Sequence, residues 1–266
     1  MAITLYPPAR PRTLAELLDA SLKIFRVSLP KCMPYATAAI LLDQLSALYD
    51  LSRGYMPTLS TRDTSNPVWV TLYCAGSVLF LIPWMAMLVR QSTLAAGRSS
   101  GATDLLAALK QTPAITAIFL IGSAVIGLLI APPLALAEPY RSIGVGLMLL
   151  PAIYLSIALS LALPARMLAR KGVLQSLLYS LRLIHGNWWR AAAMYIIGAS
   201  IIAAVYLFVA VMTAMILPDA GRAEAASRAV MTAVVLAIGA MGLNLYTAIL
   251  LTVFGDLEAR HAAQGA

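Results

Sequence analysis

Three polar residues stand where an apolar chain has least use for them. Asp43 and Gln44 interrupt the apolar stretch Cys32 to Tyr49, and Asn244 interrupts the stretch Ala229 to Gly255. An Asp at a helix centre costs ~2.5 to 3.5 kcal/mol on membrane-insertion scales, so its presence needs a reason. Two reasons are open. Asp43, Gln44 and Asn244 line a path for a proton, ion or small solute, or they hydrogen-bond between helices as glue, with Asp43 protonated. At a rise of ~1.5 Å per residue, Asp43 lies about 18 Å above Lys31 and Asn244 about 15 Å above Phe254, which predicts both near the bilayer midplane.

Enzyme chemistry finds little to work with. Gly97-Arg98-Ser99-Ser100-Gly101 has the spacing of a hydrolase nucleophile elbow. That elbow needs a strand before its serine and a His and an acid in reach, whereas here an apolar helix precedes it. The same residues read as a small-residue turn in which Ser99 or Ser100 caps the next helix. No phosphate loop, His-Glu-x-x-His pair, Cys-x-x-Cys pair or acidic metal loop occurs. Cys32 and Cys74 are expected at different membrane depths and therefore free. We expect no catalytic residue, no metal and no cofactor.

The elements that must position the polar residues follow from composition. Of 266 residues, 61% are hydrophobic and only 11% charged, and the mean hydropathy is +0.85. Soluble domains carry about 25% charged residues, so this composition predicts an integral membrane protein. Met1 to Arg12 is Pro-rich and basic, and no cleavable signal peptide is expected there. Five segments lack Asp, Glu, Lys and Arg, and each is long enough to cross hydrocarbon as a helix: Val68 to Val89, Pro113 to Ala137, Ser142 to Ala165, Ala191 to Pro218 and Ala229 to Gly255.

Charge decides whether the Asp43-bearing stretch is a sixth crossing. With six spans and an inside N-terminus, 14 of the 19 Lys and Arg residues fall on the inner face. The outer face keeps Arg53, Arg62, Arg141, Arg222 and Arg228. Without the first span the split becomes 10 against 9 and the positive-inside bias vanishes. The reading is therefore an all-α membrane protein, one polytopic domain over 1–266, with spans at 31–50, 67–90, 113–137, 142–166, 191–218 and 228–255. Both termini are expected in the cytoplasm of a bacterium, with the chain in its inner membrane. The net charge of +8 is topological and favours anionic inner-leaflet lipid; it is no argument for nucleic acid.

Surface helices are expected at 13–28, 102–111 and 172–186. In the first, Leu14, Leu17, Leu18, Leu22 and Phe25 form one stripe opposite Glu16, Asp19, Lys23 and Arg26, and Thr13 with Glu16 has capping-box spacing. In the third, Val173, Leu174, Leu177, Leu181 and Ile184 oppose Gln175, Tyr179, Arg182 and His185. Shifting the chain lays Ser21-Leu22-Lys23 over Ser180-Leu181-Arg182, Arg12 over Lys171 and Lys31 over Arg190. This predicts three parallel units, each a cytoplasmic amphipathic helix followed by a transmembrane hairpin. Pro67 and Pro113 are expected at helix starts, and Pro83, Pro132, Pro133 and Pro151 inside spans.

The stretch Leu163 to Met194, with Pro164, Lys171-Gly172, Ser180-Leu181-Arg182-Leu183-Ile184 and Gly186-Asn187-Trp188-Trp189-Arg190, resembles the membrane domain of the glycerophosphoryl diester phosphodiesterase-like family. Arg12-Thr13-Leu14, Leu17-Leu18-Asp19-Ala20 and Phe25-Arg26 resemble its first surface helix. Phe254-Gly255-Asp256-Leu257-Glu258-Ala259-Arg260 resembles its exit sequence, with Glu258 where a basic residue is usual. The resemblance implies a six-helix membrane domain in a lipid-related setting. It implies no reaction, because the family's catalytic barrel depends on a His-Arg pair and metal-binding carboxylates that this chain does not offer.

Taken together, the residues predict a non-enzymatic multi-pass membrane protein, lipid-associated or an accessory scaffold. Lys23, Arg26, Arg170, Lys171, Arg182 and Arg190 are the expected contacts to anionic headgroups. The alternative is a transporter or channel for a small solute, ion or lipid, with a polar path through Asp43, Gln44 and Asn244. The sequence leaves open a protein partner or a homo-oligomer.

Overall fold

A computed structural model describes residues 5–54, 65–98, 103–216 and 225–264. The described residues form ten α-helices and no strand: α1 Leu14–Asp43, α2 Leu45–Ser52, α3 Pro67–Leu79, α4 Leu81–Ala95, α5 Thr103–Leu134, α6 Tyr140–Ser160, α7 Ala162–Met167, α8 Val173–Ile184, α9 Trp188–Ile216 and α10 Ala225–Gln264. Five helical stretches are long and apolar enough to cross a membrane: Pro67–Ala95, Thr103–Leu134, Tyr140–Met167, Trp188–Met212 and Thr232–Gln264. The chain is an all-α, multi-pass membrane protein.

The first helix differs from expectation. In place of a surface helix at 13–28 and a separate span at 31–50, α1 runs unbroken for 30 residues and the interruption falls at Gln44. Pro30 and Pro34 lie inside it. Each removes one backbone donor and would normally kink or stop a helix. What carries the helix through is a continuous buried stripe, Leu17, Ala20, Ser21, Ile24, Ser28, Cys32, Ala36 and Ala39, packed mainly on α10 and α4. Glu16, Asp19, Lys23, Arg26 and Lys31 make the first half of α1 too charged to count as a span by composition.

The middle unit differs in the same way. No break separates a surface helix from a span at Pro113, which lies inside the continuous α5. Only the third unit keeps the expected division. There Gly186, at φ +79°, ends α8 in the left-handed conformation that favours glycine, and α9 begins at Trp188.

Two other expected signals are present at helix starts. Thr13 and Glu16 form the reciprocal capping box of α1, with Thr13 N–H donating to Glu16 Oε2 at 2.7 Å and Glu16 N–H to Thr13 Oγ1 at 3.3 Å. Pro67 opens α3 behind Asn66, whose side chain accepts from Val68 N–H at 3.0 Å.

Side-chain pairs fix the directions. Arg12 meets Asp256, Ser21 meets Thr252, Ser28 meets Asn244 and Ile40 lies against Gly239, so α1 and α10 are antiparallel along their shared length. Arg190 at Asp256, Gly198 at Ile249 and Gly242 at Ile202 give the same relation between α9 and α10. The pair α3–α4 returns beside α1–α2. Trp69 Nε1 donates to Asp50 Oδ2 at 2.9 Å at one end, and Leu5 N–H donates to the Ala95 carbonyl at 2.8 Å at the other.

Helix α8 folds back on α6 and α7, burying Ser176, Leu177, Ser180, Leu183 and Ile184, with Ser180 Oγ donating to the Ala158 carbonyl. Its expected stripe is rotated: Leu174 is exposed and Ser176 and Ser180 are buried. The core gathers at the end of the bundle that holds both described termini, where Leu245 to Leu257 of α10 are buried with the sole exception of half-buried Tyr246.

Candidate functional site

The buried polar groups lie along one helix. Asn244, Thr247, Thr252 and Asp256 project from α10 with almost no exposure, and each finds a partner on another element. Gln91 Nε2 of α4 donates to Asn244 Oδ1 at 2.6 Å and to the Asn244 carbonyl at 3.0 Å, while Ser28 Oγ of α1 reaches Asn244 Oδ1 at 3.4 Å. Trp84 Nε1 donates to Thr247 Oγ1 at 3.0 Å, and the Thr252 and Ser21 hydroxyls share a hydrogen bond of 2.6 Å. Interhelical pairs of this kind are worth about 0.6 kcal/mol each in membrane proteins. Gln91 Oε1 and Asn244 Nδ2 are buried without a protein partner among the described residues.

The three expected intramembrane residues do not form one site. Asp43 and Gln44 are neighbours at the end of α1, where Gln44 Nε2 donates to Asp43 Oδ2 at 2.7 Å. Asn244 stands opposite Ser28, which is fifteen residues back along the unbroken α1, or about 22 Å. The expectation of a common level fails because it measured Asp43 from an assumed span start at Lys31, whereas α1 runs on unbroken below it to Leu14 and Ser21 already stands opposite Thr252. Ser99, Ser100 and Gly101 of the elbow-like spacing lie outside the described residues.

The strongest electrostatic feature was not anticipated as a site. Asp256 has a side chain 1% exposed, and three groups converge on it. Its Oδ1 accepts from the Arg12 backbone N–H at 2.6 Å. Its Oδ2 accepts from Arg190 Nε and Arg260 Nε, each at 2.9 Å. Both guanidinium groups also donate to the Arg12 carbonyl. Arg12 in turn donates to the Leu5 carbonyl at 3.0 Å, and Leu5 and Tyr6 are bonded to Ala95 at the end of α4.

The segment before α1 is therefore stitched across the ends of α4, α9 and α10. Gly255 lets it lie that close, since a Cβ there would stand 2.8 Å from Tyr6 Cε2 and 2.9 Å from Pro8 Cδ. Arg12, Arg190, Gly255, Asp256 and Arg260 come from three stretches far apart in the sequence, and here they meet.

A second ion pair, Arg90 with Asp104 at 3.3 Å, ties α4 to the start of α5, with Asp104 buried. On α8, Tyr179 donates to Glu258 Oε1 at 3.2 Å and lies under Lys171 Nζ, which is 4.0 Å from its ring centre. Burial, with the nearby Glu258 charge second, pushes the Tyr179 hydroxyl up to about 12. At the capping box the Thr13 backbone N–H, helped by Arg10, holds the Glu16 carboxyl below its usual range.

The six basic residues expected at lipid headgroups divide. Lys23, Arg26, Arg170 and Arg182 are exposed, and Lys23 also pairs with Asp19 at 2.7 Å. Lys171 is half-buried over Tyr179, and Arg190 is held by Asp256. Arg190 is thus a fastening of the bundle, because a guanidinium paired to a buried carboxylate cannot leave it for a headgroup without leaving that carboxylate uncompensated.

Among the described residues, no group of three or more His, Cys, Asp or Glu side chains could hold a metal ion. Cys32 and Cys74 are both free thiols. Compared with family models, curated proteins and solved structures, the chain has no match.

Proposed function

We propose that this chain is a non-enzymatic multi-pass protein of a bacterial inner membrane that binds anionic phospholipid and serves as a lipid-associated scaffold or accessory subunit. One observation carries the reading. Lys23, Arg26, Arg170 and Arg182 stand exposed on the same half of the molecule as both termini, while the charges that hold the fold are buried apart from them. Cations in this position attract an anionic leaflet by about 1 kcal/mol each. The dispersal of Asp43, Gln44 and Asn244 favours glue over a conducting path, and the lipid-related setting implied by the family resemblance agrees with the same reading.

The six-crossing topology belongs to this proposal. Supporting it, α1–α2 lies beside α3–α4 from the Leu5–Ala95 end to the Asp50–Trp69 end, so it covers the thickness that α3–α4 covers. Both termini then face the cytoplasm. The test exchanges Lys23, Arg26, Arg170 and Arg182 for Gln together and counts phosphatidylglycerol retained on native mass spectrometry. Each lost charge is expected to weaken retention about fivefold. Unchanged retention in a protein that still folds would overturn the reading.

A further inference from the structure

A cavity of about 140 Å³ opens on the side of the bundle between α1, α9 and α10. Its walls are Leu22 and Phe25 of α1, Ile201, Ile202 and Val205 of α9, and Ile238, Met241, Gly242 and Leu245 of α10, and they are almost wholly apolar. Gly242 forms part of the floor, where a Cβ would come within 3.2 Å of Ile202 Cγ2. The volume is below the ~300 to 1,000 Å³ of small-molecule pockets, so it suits a segment of one chain and not a whole solute.

Its position is polarised. The antiparallel packing places Leu22 and Phe25 at the end nearest the termini, with Val205 and Ile238 at the far end, and α10 alone spans about 10 Å of it from Leu245 to Ile238. Arg26 follows Phe25 directly and lies one turn on from Leu22. It is not itself a wall of the groove; it is exposed beside these two lining residues, with no hydrogen bond or ion pair to a described residue.

We infer that this groove is a lipid site: one acyl chain of an anionic glycerophospholipid lies between α1, α9 and α10, with its phosphate at Arg26. The inference deepens the proposed function and rests on it. An apolar slot facing lipid favours no headgroup by itself; the cation at one end supplies the polarity, since a phosphate there neutralises Arg26 while the chain runs toward Val205 and Ile238.

The test uses full-length protein in nanodiscs of phosphatidylethanolamine doped with a phosphatidylglycerol that carries a diazirine in its acyl chain. After illumination, labelled residues are mapped by mass spectrometry. Label is expected to concentrate on Ile201 to Val205 and Ile238 to Leu245, above the equally lipid-facing Leu128, Leu147 and Leu150 of the α5–α6 hairpin. Arg26→Gln should lower groove labelling about fivefold. Val205→Trp, a filling change at a side chain already exposed, should abolish it and leave the hairpin labelling as it was.

Even labelling of groove and hairpin, or groove labelling indifferent to both substitutions, would overturn the site. A phosphatidylethanolamine analogue that labels the groove as strongly would overturn the role of Arg26. Loss of total phosphatidylglycerol retention in the four-charge variant, with even labelling here, would sink the groove and leave the proposed function standing. The reverse pair of results would do the opposite.

Discussion

The two ends of the bundle are built on different terms. At the end holding both termini, Leu245 to Leu257 of α10 are buried but for Tyr246. Among the spanning stretches, α10 is 56% and α3–α4 44% buried inside the protein, while α5 and α9 bury only 11% of theirs. Leu128 and Leu150 of the α5–α6 hairpin are 73% and 72% exposed, and Ala203 to Phe208 of α9 are exposed all round. In lipid an exposed Leu costs nothing, because hydrocarbon tails are as apolar as a protein core. What distinguishes the tight end is the run of buried polar groups on α10. Asn244, Thr247, Thr252 and Asp256 are all at the tight end, where a missing partner would be costly.

The largest effect should come from breaking the tight end at its charge node. Asp256→Ala leaves Arg190 and Arg260 facing each other without their shared carboxylate and should cost about 3 to 5 kcal/mol, read as a fall in detergent melting temperature. Leu150→Ala at the open end should stay within about 0.5 kcal/mol. Equal losses at the two sites would erase the contrast.

Next in size, Gly255→Ala forces the ring atoms of Tyr6 and Pro8 to move and should cost about 1 to 3 kcal/mol. Limited proteolysis near Pro8 should accelerate with it. At the Asn244 site, Asn244→Leu alone strands the Gln91 amide and should cost about 1 to 3 kcal/mol, whereas Asn244→Leu with Gln91→Met should be closer to neutral. A double variant worse than the single would mean that the pair does more than glue the helices.

The smallest effect is set by pH. Because the Glu16 carboxyl is held below its usual 4.5, the capping box contributes above that value, and its contribution fades as pH falls through the lowered pKa. Glu16→Gln should therefore flatten the acid limb of the melting profile below about pH 4.5, and an unaltered limb would show that the box contributes nothing.

Local signals were legible in the sequence. The Thr13–Glu16 box, the Asn66–Pro67 start and the Asp19–Lys23 pair each act over four residues or fewer, and all are present. The face a helix turns inward was not legible. Leu14, Leu17, Leu18, Leu22 and Phe25 read as one apolar stripe of a surface helix, yet Leu14 is exposed, and Leu22 and Phe25 line a groove on the side of the bundle while Ser21 and Ser28 are buried. Hydrophobicity cannot separate inside from outside when the solvent is itself oil.

Nor could spacing reveal Asp256 as a hub. Its partners Arg190 and Arg12 lie 66 and 244 residues away, and a positive-inside count sorts basic residues by side of the membrane alone.

The stitch between Arg12 and Asp256 also sets an order of events during biogenesis. Arg12 leaves the ribosome 244 residues ahead of Asp256, the carboxylate it meets. At ~5 to 20 residues per second the leading segment waits on the order of tens of seconds. Until Asp256 has emerged, this end of the bundle has no clasp, and nascent chains are open to whatever chaperone or insertase holds them.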